Sequence, residues 1–402
     1  MIRLDLTEYE TIEARIPAES ALALAAAAGS ALAVAPAFTK GDFRITATSH
    51  VGTVVAGGVE VRIRPKVPVD NVLYLLTSRW RRPWLRPDLV SYESSEVTAA
   101  FVALFADAVT HLLRRGPQHD YVEHAEPLDT IRGRIDLTGQ FRRPGRLVPV
   151  DCIFSEFTLD TGVNRYLKHA LRMASRAPGV WRRTKTQLRH AVAALDRVSD
   201  VPPAANLPLR MHYTRLTGAY EPVLRLAHVI RTRVGLGDVR GSTHASSFLL
   251  DMNEVFERFV EDSLRLHLAS ELVVEGQVTD HLDQDEKVPI RPDLLFRDET
   301  GQPVYIGDVK YKVSSDGMGR AADYYQLHAY CTRFGLPEGV LIYATIDEGA
   351  QLPMSVTTIS DEIRLRALRF PLRGSLASVR AIEAEVADDI LSRTIRALAI
   401  AR

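Results

Sequence analysis

Two short strand patterns joined by a polar turn constrain the fold of this chain more than any other feature of its sequence. The first pattern, Arg291–Phe296, carries Asp293 directly after a proline, and the second, Tyr305–Lys312, carries Asp308 and Lys310. Side chains alternate between the two faces of a strand, so Asp308 and Lys310 project from the same face. Asp293 can reach that face from the neighbouring strand. The sequence therefore predicts a strand pair on which two carboxylates and one ammonium group converge.

This group of charges suits a particular chemistry. Carboxylate oxygens are ligands for hard divalent cations, and a bound cation can activate water for hydrolysis of a phosphodiester. Neither short pattern is specific alone, because Asp-x-Lys is common on solvated strand faces and Pro-Asp is a frequent turn sequence. The combination is more specific, since the two acids are fifteen residues apart, which fits a strand, a turn and a returning strand. Apolar residues also flank both acids, as expected at the edge of a core.

Composition places the chain among globular proteins. Its 402 residues are 25% charged and 46% hydrophobic, which predicts two or three folded domains. Its 50 basic and 50 acidic residues give a formal net charge of zero, so a nucleic acid would have to be bound by a local patch or delivered by another subunit. The two cysteines, Cys152 and Cys331, exclude a disulfide framework and a cysteine-rich zinc site, and favour a reducing, cytoplasmic location.

An apolar, alanine-rich segment near the N-terminus, Ala21–Ala35, resembles a targeting or membrane segment only superficially. Five acidic residues precede it where a signal peptide would carry basic ones. It is also too short to span a bilayer, and Gly29 interrupts it. We therefore predict a buried helix in a soluble domain and no membrane insertion.

The pattern of helices and strands divides the chain into three predicted domains. Residues 1–90 combine strand patterns with the alanine-rich helix and predict an α+β domain. Residues 91–245 are mainly helical in pattern. Residues 246–402 begin with an amphipathic helix at Asn253–Leu268 and continue with strands, a helix at Ala321–Phe334 and a further strand. This order predicts an α/β domain with a mixed sheet flanked by helices.

The order of these elements resembles the PD-(D/E)xK nuclease superfamily: Pro292-Asp293, then Asp308-Val309-Lys310, then a helix with Gln326 and Tyr330. More narrowly, the chain resembles the McrC family, the nuclease subunits of the McrBC modification-dependent restriction systems. The likeness covers most of the chain, closely over residues 125–345 and loosely over the first hundred. The motifs that carry it outside the catalytic pattern are Val61–Val69, Arg132–Arg134, Phe157–Arg165, Phe248–Asn253, Phe256-Glu257 and Gly339–Tyr343.

The resemblance implies a role for each residue of the pattern. Asp293 and Asp308 would ligate one or two Mg²⁺ ions, together with the main-chain carbonyl of Val309. Lys310 would orient and polarise the attacking water and offset negative charge on the phosphate.

Glu257 resembles the additional acid of the superfamily, which binds the metal directly or through water. Glu254 is an alternative one turn earlier, and a solvated helix face would equally explain both residues. Gln326 and Tyr330 are four residues apart on one helix face, where they would brace the site or contact a DNA phosphate. Ordinary helix packing is the alternative for this pair.

The resemblance also implies two partners, a McrB-like AAA+ GTPase ring and double-stranded DNA. The sequence has no Gly-x-x-x-x-Gly-Lys phosphate loop, so GTP would act only through the partner. The predicted hairpin at Val51–Arg64, with Arg62 and Arg64, is a candidate for contact with the ring, and the rim of a structural sheet is the alternative. The basic segment Arg172–Arg189 is a candidate for contact with phosphates, although such a segment can also be merely solvated.

The sequence therefore predicts a Mg²⁺-dependent DNA endonuclease subunit of a 5-methylcytosine-type restriction system, activated by a GTP-hydrolysing AAA+ partner and stimulating it in return. A catalytically silent adaptor that activates an AAA+ motor is one alternative. A PD-(D/E)xK nuclease of a repair or transposition system is another. All the expected polar residues are present, which argues against a decayed site.

Overall fold

The computed structural model shows how these segments assemble into two compact units. It describes residues 1–80, 96–142, 145, 148–214, 217–239, 243–311, 321–346, 354–357 and 363–400. The first unit contains residues 1–100 and 236–402, and the second contains residues 101–235. The predicted division into three domains at residues 90 and 245 stays a prediction, and its first boundary lies outside the described residues.

The N-terminal part of the first unit is built on a five-stranded sheet with the order β1-β6-β5-β11-β10. Its strands are β1 (Ile2–Thr7), β5 (His50–Ala56), β6 (Val59–Arg64), β10 (Val234–Val239) and β11 (Thr243–Asp251). The predicted hairpin is confirmed, because β5 and β6 pair antiparallel across Gly57 and Gly58. Both glycines have positive φ angles, which this tight turn requires. The strand β11 was not predicted, since its pairing partner β5 is about two hundred residues away in the sequence.

A second, three-stranded sheet and one helix complete this part of the unit. The elements are β2 (Thr11–Arg15), α1 (Ala18–Ala28), β3 (Leu32–Pro36) and β4 (Asp42–Ala47). The predicted helix at Ala21–Ala35 is therefore wrong in its second half, because Gly29 leaves the helical conformation with a φ of 54° and β3 pairs with β4. One face of α1 is buried, as predicted, and includes Leu24. Among the described residues, no helix has the length and apolar character needed to cross a membrane.

The candidate site lies in a six-stranded mixed sheet with the order β12-β15-β16-β17-β19-β18. Its strands are β12 (Val273–Gly276), β15 (Leu294–Arg297), β16 (Pro303–Lys310), β17 (Glu338–Thr345), β18 (Met354–Thr357) and β19 (Arg364–Pro371); a separate two-stranded ladder joins β13 (Asp280–His281) and β14 (Pro289–Ile290). The strands β15 and β16 pair antiparallel, whereas β16, β17 and β19 run parallel to each other. The α/β fold with a mixed sheet is thus confirmed for this part of the chain.

Helices cover both faces of the six-stranded sheet. They are α2 (Val69–Thr77), α9 (Met252–His267), α10 (Ala321–Phe334) and α11 (Leu376–Ile400). On one face, Phe256 and Phe259 of α9 contact Phe370 of β19. On the other face, α10 packs Leu327 against Ile306 in a continuous core. The sheet is therefore enclosed between α10 and the layer that contains α9.

The second unit is rich in helices but also contains a sheet. Its elements, including the helix that enters it from the first unit, are α3 (Val97–Leu113), β7 (Asp120–Leu128), β8 (Arg134–Ile135), α4 (Leu137–Phe141), β9 (Val150–Thr158), α5 (Gly162–Arg176), α6 (Arg182–Ala193), α7 (Leu207–Arg210) and α8 (Tyr220–Arg233). The prediction of a mainly helical region misses the strand β7, which pairs with β9 over nine residues. Most of β7 is exposed and polar, so it lacks the alternation of apolar residues that indicates a strand.

A buried carboxyl group connects the N-terminal strands to the six-stranded sheet within the first unit. Glu8 is 1% exposed, and its Oε1 accepts hydrogen bonds from the Lys66 main-chain N–H (2.9 Å) and the Tyr311 hydroxyl (3.2 Å). Its other oxygen, Oε2, has no hydrogen-bond partner among the described residues. Burial raises the pKa of Glu8 from 4.5 to about 7, although the bonds from Lys66 and Tyr311 partly oppose this shift. Because Tyr311 directly follows β16, Glu8 fixes the end of the strand that carries Asp308.

This shift predicts how Glu8 affects stability. Between pH 4.5 and about 7 the folded chain retains a proton that the unfolded chain has lost, so stability falls as pH rises through this window and stays lower above it. We expect Glu8→Gln to match the wild type at pH 5 and to exceed its free energy of unfolding at pH 8, by on the order of 2–3 kcal/mol. Urea unfolding at both pH values measures the difference. The exposed Glu19→Gln serves as control, and an equal change in both variants would contradict the assignment.

Candidate active site

The pairing of β15 with β16 brings the two predicted acids together. Leu294 lies opposite Gly307 and Leu295 opposite Ile306, and one further step in this register places Asp293 opposite Asp308. Both acids face the side of the sheet that carries α10, because they alternate in step with the buried Ile306. The start of β15 and the end of β16 thus form one edge of the site.

Asp293 is held by two hydrogen bonds at this edge. Its Oδ2 accepts from the main-chain N–H of Val309, and its Oδ1 accepts from Nε2 of Gln277, both at 2.8 Å. The carbonyl of an extended residue points to the same side as its N–H, so the Val309 carbonyl opens towards Asp293. The structure therefore brings together Asp293, Asp308 and the carbonyl that the sequence predicts as a third ligand.

Asp308 is almost completely buried, with 1% of its surface exposed. Its Oδ2 forms an ion pair with Nζ of Lys310, whereas its Oδ1 has no hydrogen-bond partner among the described residues. Burial and the charge of Asp293 raise the pKa of Asp308 to about 7, and Lys310 opposes this shift. A buried carboxylate oxygen without a donor is costly unless a cation approaches it.

Lys310 supplies a positive charge beside the paired acids. Its side chain is 19% exposed. Burial alone would lower the pKa of Lys310, but Asp308, followed by Asp293 and Asp323, raises it above its usual value. Lys310 therefore carries its charge at neutral pH and offsets part of the repulsion between Asp293 and Asp308.

Glu257 approaches the same edge from α9. Burial, and then the charge of Asp293, raises the pKa of Glu257 to about 7. Glu257 and Asp293 line a cleft of about 290 Å³ together with Glu254, Arg258, Glu261, Gln277 and Arg291. The alternative acid, Glu254, forms an ion pair with Arg258 at 2.7 Å.

The four predicted ligands do not form a single tight cluster. Within the described part of the chain, no three His, Cys, Asp or Glu side chains are grouped closely enough to hold one metal ion. The centre is therefore a pair of carboxylates, Asp293 and Asp308, with Glu257 beside Asp293 in the cleft. Direct ligation by Glu257 stays a prediction.

The helix α10 covers the paired acids. Nε2 of Gln326 donates to the Tyr330 hydroxyl at 2.6 Å, as their shared helix face predicts. Tyr330 is buried while Gln326 is exposed. Burial raises the pKa of Tyr330, and the charge of Asp308 raises it further, so the tyrosine hydroxyl lies within the field of the acids.

Two further polar residues lie on this side of the site, although the sequence predicted no role in the site for either. Tyr343 lies beside Lys310 in the register of β16 and β17, and its hydroxyl donates to Oδ2 of Asp323 at 3.0 Å. Asp323 is buried in the first turn of α10. Asp323 therefore adds a third negative charge near Lys310.

Gln277 is the most informative residue that the sequence analysis missed. Besides the side-chain bond to Asp293, its main-chain N–H donates to the main-chain carbonyl of Asp293 at 3.2 Å. Its φ angle is 55°, a left-handed conformation that costs a residue other than glycine about 1–3 kcal/mol. Such backbone strain persists where surrounding contacts enforce it, and here those contacts hold a predicted ligand. The sequence offers no signal for it beyond a polar residue at the end of β12.

The donor set fits a hard divalent cation. It consists of carboxylate and carbonyl oxygens, which Mg²⁺ prefers, and contains no sulfur or imidazole ligand. The unpartnered Oδ1 of Asp308 supplies an acceptor that the protein itself does not satisfy. Asp293, Asp308 and the Val309 carbonyl are therefore the groups that could hold such a cation.

A second Asp-x-Lys sequence shows what the geometry adds. Asp285 and Lys287 form an ion pair at 2.8 Å, but their side chains are 70% and 73% exposed. They are accordingly ordinary solvated charges, whereas Asp308 and Lys310 are enclosed by the sheet and α10.

Two solved structures are similar to this chain. A chain in a refined half-complex from a tetradecameric assembly of Thermococcus gammatolerans McrB AAA+ hexamers with bound McrC is 18% identical, with a TM-score of 0.63 over 96% of this chain and 100% of that chain. A chain in the Thermococcus gammatolerans McrBC complex, determined by cryo-electron microscopy, is 22% identical, with a TM-score of 0.45 over 66% of this chain and 88% of that chain. No curated protein matches the sequence significantly.

The family comparison extends over most of the sequence. The model of the McrBC family matches residues 45–344, which include the β5–β6 hairpin, the second unit and the paired acids of β15 and β16. The chain therefore belongs to the McrBC family of 5-methylcytosine restriction system components.

Proposed function

We propose that this chain is the Mg²⁺-dependent endonuclease subunit of its restriction system and hydrolyses DNA phosphodiesters. The observation that carries the proposal is the buried Asp308, whose Oδ1 lacks a partner beside Asp293 and Lys310. Two carboxylates that repel each other in the core need a cation, and phosphodiester hydrolysis uses one. Membership in a family of restriction system components supports DNA as the substrate.

The residues of the site would have three roles: metal binding, orientation of the attacking water and positioning of a metal ligand. Asp293, Asp308 and the Val309 carbonyl would hold the metal, which when bound polarises the phosphate and activates water. Lys310 would orient that water and offset charge on the phosphate, because it keeps its proton at neutral pH. Gln277 would fix the orientation of Asp293 through its side-chain and main-chain bonds.

Glu257 and the tyrosine of α10 would complete the site. With a pKa of about 7, Glu257 can bind or release a proton near neutral pH, which suits proton exchange with water in the cleft. Gln326 and Tyr330 would brace Asp308 from the helix, since the Tyr330 hydroxyl lies within its field.

We also propose that the chain acts with an AAA+ GTPase ring in the cytoplasm. The similar structure from Thermococcus gammatolerans contains McrB AAA+ hexamers with bound McrC, which supports a ring of this kind as partner and as the source of GTP hydrolysis. The β5–β6 hairpin, with Arg62 and Arg64, remains our candidate for the contact. Both cysteines are free and buried, in keeping with a reducing compartment. The complete set of polar side chains favours a nuclease over a silent adaptor.

The first test of the proposal is DNA cleavage. In the presence of the partner, GTP and Mg²⁺, we expect Asp308→Ala and Lys310→Ala to cut methylated plasmid at least about 100-fold more slowly than the wild type. Each substitution removes a group that acts on the reacting phosphate. Both variants should still stimulate the partner's GTPase. The exposed pair provides the control, so Asp285→Ala and Lys287→Ala should cut normally. Normal cleavage by Asp308→Ala would refute the assigned site.

The second test detects metal binding without activity. The raised pKa of Asp308 means that its ionised form destabilises the metal-free fold above about pH 7. The Asn side chain of Asp308→Asn cannot ionise. At pH 8, in the presence of a chelator, we therefore expect its unfolding temperature to be about 2–4 °C higher than that of the wild type. Added Mg²⁺ or Mn²⁺ should then raise the unfolding temperature of the wild type and not that of the variant. An equal response to the metal in both proteins would exclude Asp308 as a ligand; Asp285→Asn is the control.

The third test concerns Gln277. Gln277→Asn shortens the side chain but tolerates the left-handed backbone, so it removes the bond to Asp293 with little effect on folding. We expect the Mg²⁺ concentration for half-maximal cleavage to rise about 10–100-fold, the usual cost of losing a group that hydrogen-bonds to a metal ligand. The exposed Gln302→Asn is the matched control. An unchanged Mg²⁺ requirement would show that Asp293 is positioned without Gln277.

A further inference from the structure

The second unit contains a strongly asymmetric stretch of charge. Between residues 161 and 195 there are eight Lys or Arg residues and no Asp or Glu, in a chain whose formal net charge is zero. This stretch forms α5 and α6 and the turn between them. A local excess of this size creates a positive potential that the overall neutrality of the chain conceals.

The helix α6 presents these charges on one side. Thr184, Leu188 and Ala191 are buried against the unit. The opposite side consists of exposed basic residues, which we call the α6 basic face: Arg182, Arg183, Lys185 and Arg189. At 1.5 Å per residue, this face extends over about 10 Å along the helix axis.

The α6 basic face lacks acidic partners. Among the described residues, none of its four side chains forms an ion pair, and the hydrogen bond of Arg189 goes to the Thr186 hydroxyl. The acid Asp107 does contact the helix, but it accepts a hydrogen bond from Nε2 of Gln187 and from none of the four basic side chains. The charges are therefore available to a ligand rather than used to stabilise the fold.

The neighbouring helix α5 differs in this respect. Arg165 pairs with Asp160, and Lys168 and Arg172 share Asp200, so most of its charges have internal partners. At its C-terminal end, however, Arg176 is exposed next to the start of α6.

A half-buried histidine on α5, His169, lies among arginines of α5 and α8. Burial lowers the pKa of His169, and the charges of Arg231, Arg172 and Arg176 lower it further. The histidine therefore adds no acidic group that could neutralise the basic stretch.

We propose that the α6 basic face, extended by Arg176, binds the phosphate backbone of double-stranded DNA without regard to sequence. Guanidinium groups form paired hydrogen bonds with phosphate oxygens and keep their charge at all relevant pH values. The face offers a second argument for a polyanion over a protein partner: it carries no exposed large apolar side chain, whereas protein interfaces bury aromatic and aliphatic anchors. The inference rests on the proposed function, because it names a surface that would hold the DNA to be cut.

The test measures the salt dependence of DNA binding by the full chain. The α6 variant replaces Arg182, Arg183, Lys185 and Arg189 with Gln. The control variant makes the same change of charge at Arg114, Arg115, Arg197 and Arg210, which are exposed elsewhere in the same unit. Binding to an unmodified duplex of about 30 base pairs is followed by fluorescence anisotropy between about 50 and 300 mM salt.

We expect the α6 variant to bind at least about tenfold more weakly at low salt, and its log–log salt slope to fall by about 3–4, since each lost phosphate contact removes about 0.9. The control should retain the wild-type slope. Two double variants, R182Q/R183Q and K185Q/R189Q, should each show about half of the change in salt slope seen in the fourfold variant. They replace the fourfold variant in the test if that variant does not fold.

Three outcomes would overturn the inference. The first is no measurable binding by the wild type at low salt, and the second is an equal loss in the control. The third is unchanged DNA binding with loss of GTPase stimulation, which would assign the face to the partner ring. The proposed function is judged separately, because Asp308→Ala should bind DNA like the wild type without cutting it. If the wild type binds through α6 but never cuts, the proposed function fails and the DNA surface stands.

Discussion

The hydrogen bond from the Val309 main-chain N–H to Asp293 is the constraint on which the site depends. In the register of β15 and β16, Val309 would lie opposite Pro292, which has no N–H to complete a backbone pair. The Asp293 carboxylate accepts the Val309 N–H instead. The last hydrogen bond of the strand pair is therefore made by a side chain instead of the backbone. This bond holds the Asp293 carboxylate against the strand that carries Asp308. Without it, the Asp293 carboxylate would keep only its hydrogen bond from Gln277.

This arrangement places several acidic side chains close together in a largely buried region, which destabilises the fold in the absence of a cation. Asp308 and Glu257 both have pKa values near 7, because burial and the charge of Asp293 disfavour their ionised forms. Lys310 compensates for one charge only, and the Gln277 amide stabilises Asp293 through a strained backbone. Protein cores normally neutralise such groups or leave them out. The remaining imbalance is what a divalent cation would correct, so the metal and the fold would stabilise each other.

The sequence predicts the parts of this site that depend on local pattern. Alternation along β16 places Asp308 and Lys310 on one face, and the four-residue spacing of α10 pairs Gln326 with Tyr330. The parts it cannot predict depend on contacts between distant segments. Gln277 adopts a left-handed backbone conformation that the residues next to it in the sequence do not indicate. The bond from Tyr311 to Glu8 joins residues 303 positions apart, and no periodicity reports such a pair. Likewise the alanine-rich pattern gave no sign that β3 begins so soon after Gly29.

The two Asp-x-Lys sequences of this chain show why pattern alone is insufficient. Asp285 and Lys287 have the same spacing as Asp308 and Lys310 and also form an ion pair, yet they are solvated. Water screens the exposed pair, so its charges affect little beyond each other. The enclosed pair, Asp308 and Lys310, interacts electrostatically with Asp293 and Tyr330. These interactions are stronger than those of the exposed pair because the surroundings are less polar than water. The difference arises from β15 and α10, which enclose this end of β16 and leave Asp308 only 1% exposed. The Asp-x-Lys motif therefore supplies only the charged groups. Burial by the surrounding fold is what allows those groups to influence their neighbours and form a site.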